Sequence, residues 1–261
     1  MIEDGEPEVQ RLVKSKARVR DLGEVFTPAA VVQEMLDLLP DEMWLPHPAA
    51  TFLEPSCGDG NFLVAVLERK LMRVARAFTE RALPAGTSEG AAQFHALEAL
   101  ATIYAVDISV DNVVGGTPGH EVGARDRLLT LFRAWIEARL SKRLADRSVL
   151  LRSARWIVER NVQVGNMLPA TALGTPTVRE TLPLLEYEWN PSAGTVSVFG
   201  TTLGAVMEAA RVETTGMLSL FDSVPPRPLW TGSAVRLCGA PVVAPFCSGV
   251  PPRNGNGRRK K

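Results

Sequence analysis

The sequence predicts an α/β protein that is built on a parallel sheet. Short apolar stretches typical of strands, at 51–53, 101–106 and 157–164, alternate with stretches of helical character, which is the pattern of parallel strands joined by crossover helices. The first strand runs into an acidic residue and a tight turn that contains Gly58 and Gly60, and a helix-like run follows at once. Such a strand–turn–helix unit lets backbone N–H groups approach a ligand closely, because glycine carries no Cβ.

The helices are predicted from apolar residues at helical spacing. Thr27 is expected to be an N-cap and Pro28 the first helical residue of the first of them. A flexible loop that begins at Gly115 interrupts the helix expected after the second strand. The predicted helices span 28–39, 61–76, 91–100 and 124–145.

Composition limits the class of protein. Lys plus Arg and Asp plus Glu both number 29, so the whole chain lacks the basic character of many nucleic-acid-binding proteins. The three cysteines are scattered and predict neither a disulfide framework nor a zinc site. The amino terminus lacks the apolar core of a signal peptide, and no apolar run reaches the roughly 18 residues that a membrane span needs. A soluble, cytoplasmic protein is therefore expected.

Polar side chains stand where the predicted strands end. Glu54 follows the first strand, Asp107 ends the second, and Asn166 follows the third. Ligands of parallel α/β sheets bind at the carboxyl ends of the strands. These three residues are therefore expected to share one site.

Two motifs together resemble those by which adenine-N6 DNA methyltransferases bind S-adenosylmethionine (SAM). They stand in the order that is typical of the gamma-type enzymes. They are Gly23-Glu24-Val25-Phe26-Thr27-Pro28 and Glu54-Pro55-x-Cys57-Gly58-x-Gly60. The resemblance covers residues 14–168 and implies a Rossmann-like SAM-dependent methyltransferase sheet, with a helical extension before it and an irregular tail after it.

The resemblance also implies roles for individual residues at the methionine end of SAM. Thr27 would be a polar contact there, and Glu54 would line the same part of the pocket. Cys57 is assigned to packing, since cysteine nucleophiles belong to cytosine-carbon methylation. The residues implied in this part of the cofactor site are Thr27, Pro28, Glu54, Pro55, Cys57, Gly58, Gly60 and Phe62. A purely structural glycine turn and a simple N-cap at Thr27 are the alternatives.

Three further residues would bind the nucleoside part of SAM. Asp107 would accept two hydrogen bonds from the ribose hydroxyls, Ile108 would pack on the adenine face, and Asn166 would accept a bond from the adenine amino group. A solvated carboxylate at Asp107 and a helix-capping amide at Asn166 remain the alternatives.

The catalytic tetrapeptide of these enzymes, Asn/Asp-Pro-Pro-Tyr/Phe, is absent from the sequence. Its amide and aromatic ring hold the flipped base. The nearest candidate begins at Asn190 and lacks the second proline and the ring. The alternating residues on both sides of it favour a β-hairpin turn with no catalytic role.

The chain is divided accordingly into four parts. They are a helical arm at 1–22, a SAM-binding methyltransferase-like domain at 23–170, an appendage with a β-hairpin and a short helix at 171–221, and a disordered Pro/Gly-rich basic tail at 222–261. The cations at 8–20 favour either a solvated helix face or an arm that contacts phosphates.

The resulting expectation is a methyltransferase-like protein that uses SAM and, if active, methylates adenine N6 in duplex DNA in a restriction–modification or phage setting. The alternatives are an inactive SAM-binding module, a subunit that needs a catalytic or specificity partner, and an enzyme acting on a small molecule or protein. No metal is expected, because His47, His95 and His120 are far apart in sequence.

Overall fold

The computed structural model describes seven segments of the chain. They are 16–22, 25–84, 88–116, 121–139, 147–167, 182–206 and 227–240. Gly23 and Glu24 of the first motif, His120 and most of the expected basic arm and tail lie outside these residues.

The described segments form a mixed α/β fold with one parallel and one antiparallel sheet of three strands each. The parallel sheet has the order β1 (Phe52–Glu54), β2 (Ile103–Asp107) and β3 (Val162–Val164). Phe52 pairs with Ile103, and Ala105 pairs with Val162. The carboxyl ends of β1 and β2 therefore lie side by side.

Seven α-helices lie wholly within the described segments, and residues 203–206 are also helical. Their packing buries a core that includes Leu67, Leu97 and Phe132. The helices are α1 (Lys16–Leu22), α2 (Ala29–Asp37), α3 (Asn61–Thr79), α4 (Glu89–Ala101), α5 (Val110–Val113), α6 (Ala124–Arg139) and α7 (Arg147–Asn161). None of these helices has both the length and the apolar character needed to cross a membrane.

Two predicted boundaries near helices were wrong. Helix α2 begins at Ala29, with Pro28 as its N-cap and no side-chain cap bond, so Thr27 is not the N-cap. Residues 157–161 are helical, and β3 begins only at Val162. Leu150, Ala154 and Ile157 are buried at helical spacing, and this packing overrides the strand preference of the β-branched residues.

The antiparallel sheet contains the expected hairpin. Strands β4 (Pro183–Asn190) and β5 (Thr195–Thr202) pair along their whole length. The hairpin is not an appendage, because Leu185 and Val198 belong to the same buried cluster as the helices. The turn closes with a hydrogen bond from the Ala193 N–H to Asn190 Oδ1 at 3.0 Å.

The expectation of a disordered tail was wrong for residues 227–240. Trp230–Ser233 forms β6, which pairs with β5, and Ala234–Gly239 forms a 3-10 helix. Leu237 is fully buried. The Ser153 hydroxyl on α7 donates to Val235 O at 2.8 Å and accepts from Cys238 N at 3.0 Å. The sequence of this segment has little hydrophobic periodicity, but its contacts with α7 stabilise it.

Lys70 on α3 is an unusual core residue. Its side chain is only 2% exposed, and its ammonium donates to Ala50 O at 2.6 Å and lies over the Phe52 ring. Burial lowers the pKa of Lys70 from 10.5 to about 8, although the nearby Glu98 charge opposes the shift.

This lowered pKa predicts a contribution of Lys70 to stability that rises with pH. Between pH 8 and 10.5 the unfolded chain binds more protons at Lys70 than the folded chain, so the contribution of Lys70 to the free energy of unfolding should rise across this window by up to about 3 kcal/mol. The buried Cys57 thiol and Tyr104 hydroxyl, whose pKa values are raised, give the opposite trend in both proteins. Chemical denaturation at several pH values should therefore show the free energy of unfolding of the wild type rising relative to that of Lys70→Met. A difference between the two proteins that stays constant with pH would contradict the assignment.

Candidate functional site

The glycine turn between β1 and α3 lies across the carboxyl ends of the parallel strands. The Cys57 N–H donates to Val106 O at 3.0 Å, and the Gly58 N–H donates to Asp107 Oδ2 at 2.9 Å. The turn is therefore fastened to β2 by one backbone bond and one side-chain bond.

Asp107 organises this edge of the sheet. Its buried carboxylate accepts from Gly58 N, from Ser109 N at 2.8 Å and from Asn112 Nδ2 at 3.0 Å. A carboxylate offers about four acceptor positions, so about one remains for a ligand. The expectation of two ribose bonds to Asp107 therefore requires that one of the internal bonds be exchanged.

Glu54 is the other carboxylate at this edge and is half-buried. Its Oε1 accepts from the Ser56 N–H at 3.1 Å. Burial is the largest effect on Glu54 and raises its pKa; the Ser56 bond opposes this shift, and the Asp107 charge adds to it. A cationic ligand that replaces water beside Glu54 would favour the charged form.

The backbone of the turn requires glycine at two positions. Gly58 has φ +53°, and a Cβ there would lie 2.9 Å from Phe26 Cε1. Gly60 has φ +95°, and a Cβ there would lie 2.9 Å from Ala124 Cβ. Both residues combine a left-handed conformation with a close neighbour.

A chain of hydrogen bonds joins this turn to the loop before α2. Asn61 Nδ2 donates to Thr27 O at 3.0 Å, and Arg127 Nη2 donates to Asn61 Oδ1 at 2.9 Å. Arg127 Nη1 donates to Asp59 O at 2.9 Å and lies 3.0 Å from Asp59 Oδ1. The two motifs, which are separate in sequence, therefore meet in space.

These segments enclose a cavity of about 230 Å³. Sites for drug-sized ligands are usually about 300–1,000 Å³, so this cavity has room for only part of such a molecule. The exposed Ile108 side chain lies at it, with 52% of its surface accessible. The predicted site residues that line it are Thr27, Glu54, Cys57, Gly58, Phe62, Asp107 and Ile108.

The other predicted cofactor residues do not line this cavity. Gly60 acts through the backbone of the turn, and Pro28 caps α2. Pro55 and Asn166 are likewise not among its lining residues. The third strand end, at Asn166, is therefore not brought into the cavity that Glu54 and Asp107 share.

Sequence reasoning missed several residues of the site. Phe26 packs under Gly58, and Asn112 is almost fully buried against Asp107. Helix α5 has the sequence Val-Asp-Asn-Val, which contains no pattern that would single out Asn112. Arg18 of α1 forms an ion pair with Asp111 at 2.6 Å, so this cation of the predicted arm faces the protein at the edge of the site.

Cys57 has the environment of a packing residue. Burial, together with the nearby charges of Asp107 and Glu54, raises the pKa of its thiol. The thiol is therefore protonated near neutral pH, which disfavours it as a nucleophile.

Two groups outside this cavity were also singled out in the sequence. Asn190 is exposed at the hairpin turn and does not line the cavity. His47 and His95 are not isolated, as their spacing predicted, because both contact Glu98 and their ring centroids lie 5.8 Å apart. The loop before β1 and helix α4 bring them together, which no spacing rule could have shown.

Comparisons with protein-family models, with curated proteins and with solved structures found no match to this chain.

Proposed function

We propose that this protein binds SAM at the cavity between the loop before α2 and the carboxyl ends of β1 and β2. In this proposal it is a methyltransferase-like protein of the adenine-N6 DNA type, with a Rossmann-like sheet. The observation that carries the proposal is the convergence of Thr27, Glu54, Gly58 and Asp107 on one cavity.

The chemistry of the cavity suits SAM better than a phosphate-bearing nucleotide. SAM has a cationic sulfonium and an ammonium group, and it carries no phosphate. Three carboxylates, those of Glu54, Asp59 and Asp107, line the cavity, and none of the described residues that line it is Lys or Arg. The negative charge of these carboxylates would repel a phosphate group bound beside them.

The residues that line the cavity support a particular orientation of SAM. Glu54 and Thr27 would face its methionine end, Asp107 its ribose, and the exposed Ile108 its adenine ring. The volume of about 230 Å³ holds only part of SAM, so the adenine would extend over Ile108 at the cavity mouth.

Asn190 favours a second form of the same function, in which the base chemistry comes from elsewhere or is absent. Its amide oxygen is engaged in the hairpin turn, 3.0 Å from the Ala193 nitrogen, and the residue lies outside the SAM cavity. A SAM-binding module, or a subunit that needs a partner to hold duplex DNA, is therefore the alternative to an enzyme active alone.

We expect calorimetric titration with SAM to show one site per chain and Glu54→Gln to weaken binding about 10–100-fold. The loss corresponds to a hydrogen bond or ion pair to a charged group, worth about 1.5–3 kcal/mol. Glu188→Gln is the matched control, because Glu188 is exposed on β4 and outside the cavity. No SAM binding by the wild type, or equal effects of the two substitutions, would contradict the proposed site.

Transfer of a tritiated methyl group from SAM to mixed duplex DNA separates the two forms of the proposal. Transfer by the chain alone would establish an active enzyme, and Asn190→Ala should then leave the rate nearly unchanged. SAM binding without transfer would favour the partner-dependent or non-catalytic form. A large loss of transfer in Asn190→Ala would instead give Asn190 a role at the base.

A further inference from the structure

A buried cluster of two imidazoles and a carboxylate lies apart from the proposed SAM site. His95 and Glu98 stand one turn apart on α4, and His47 comes from the loop before β1. The side chains of His95 and Glu98 are 0% and 3% exposed, and that of His47 is 26% exposed. Each imidazole uses Nδ1 toward a different oxygen of Glu98, at 2.7 Å from His47 and 3.1 Å from His95.

The contact between His95 and Glu98 needs a proton or a metal ion between its two atoms. His95 Nε2 lies 3.2 Å from Pro84 O, and a carbonyl oxygen only accepts, so Nε2 carries the hydrogen. The Nδ1 atom of neutral His95 then presents a lone pair to Glu98 Oε2. An ionised carboxylate also only accepts, so this contact is repulsive unless a proton or a metal ion lies between the two atoms.

We propose that His47, His95 and Glu98 form a site for a divalent transition-metal ion of the zinc class. One ring nitrogen of each histidine and a carboxylate oxygen of Glu98 lie within 4.8 Å of one another. Tetrahedral ligands at about 2.0–2.2 Å from zinc stand about 3.4 Å apart, so shifts of the order of an ångström suffice. Two His ligands and one Glu ligand are a set that binds zinc with an open fourth position.

The surroundings of the cluster match those of a metal site. Metal-bound histidines usually donate their other ring N–H to a carbonyl or carboxylate, as His95 does to Pro84. The charges of Lys70 and Glu98 also interact, but the Lys70 ammonium donates its hydrogen bond to Ala50 O. The Ala49 N–H donates to Glu98 Oε1 at 3.3 Å, which helps to orient the carboxylate.

The ion would be reachable from a second cavity of about 700 Å³. His47 and Glu98 line this cavity together with largely apolar and aromatic residues, among them Leu53, Tyr104 and Trp189. A molecule bound there could occupy the open position of the metal. The site is thus distinct in both residues and cavity from the one proposed for SAM.

The test is titration of the full, chelator-treated chain with Co²⁺, a visible-absorbing substitute for Zn²⁺, followed by competition with Zn²⁺. We expect one ion per chain, with the absorption of a four- or five-coordinate cobalt centre and imidazole ligation. Glu98→Gln and His47→Gln should each weaken binding by about 100-fold or more, since even outer residues of metal sites change affinity about 10–100-fold. Glu188→Gln, which changes an exposed carboxylate of the same cavity, should bind as the wild type does.

Two results would overturn the metal site. The first is the absence of stoichiometric Co²⁺ or Zn²⁺ binding by the folded wild type, which would mean that a shared proton joins His95 to Glu98. The second is unchanged affinity in folded His47→Gln, whose partly exposed position makes it the variant that best retains the fold, as circular dichroism would check. SAM titration of the same samples is independent of this outcome, so either proposal can fail alone.

Discussion

Asp107→Ala is expected to abolish detectable SAM binding and also to lower the free energy of unfolding by about 2–4 kcal/mol. The substitution removes the acceptor of three hydrogen bonds, from Gly58 N, Ser109 N and Asn112 Nδ2. Each buried donor left without a partner costs about 1–3 kcal/mol, and water entering the space would offset part of this cost.

The measurements that test this are calorimetry with SAM, chemical denaturation, and amide exchange at Gly58 and Ser109. Hydrogen exchange should accelerate more at these two amides than at amides of the core, because the two amides lose their acceptor. Asp41→Asn is the control: Asp41 is exposed and pairs with Arg73 at the surface, and such pairs contribute about 0–1 kcal/mol. SAM affinity in Asp107→Ala close to that of the wild type would remove Asp107 from the site.

Gly60→Ala is expected to destabilise the protein by about 2–5 kcal/mol and to weaken SAM binding. The left-handed conformation at φ +95° costs a side chain about 1–2 kcal/mol. The new Cβ would also lie 2.9 Å from Ala124 Cβ and 3.2 Å from Ala124 Cα. Because the second contact is with backbone, either α6 or the turn must move, and overpacking of this kind costs about 1–3 kcal/mol more.

Gly194→Ala isolates the conformational part of that effect. Gly194 has φ +64° in the hairpin turn, and a Cβ there would meet nothing within 4 Å. Denaturation should show a loss of about 1–2 kcal/mol for Gly194→Ala and no change in SAM affinity. Equal losses for the two variants would mean that the Ala124 contact relaxes without cost and that the turn tolerates a side chain.

Local patterns were sufficient where neighbours in sequence are also neighbours in space. The glycine turn, the start of α3, the end of β2 at Asp107 and the β4–β5 hairpin follow from residue types over a few positions. Turn glycines, strand ends and hairpin turns are governed mainly by local backbone preferences. They can therefore be predicted from the residue types at a few neighbouring positions.

Prediction failed where packing between distant segments decides the outcome. Ile157 and Val158 favour a strand by residue type, yet they are helical because α7 buries them against the core. Residues 230–239 carry little periodicity, yet they are ordered because β5 and Ser153 supply their partners. In both cases the stabilising contacts come from residues far away in the chain.

From the sequence alone came the parallel α/β character, the glycine turn, and the expectation that Glu54 and Asp107 share one edge of a sheet. Only the tertiary structure decided that Asn166 stands outside their cavity and that Asp107 accepts hydrogen bonds from the glycine turn and from two residues after β2. It also decided that His47 and His95 meet at Glu98. The physical reason is that side-chain contacts depend on how the helices pack on the sheet. The spacing of residues along the chain does not specify the distances between side chains of different elements.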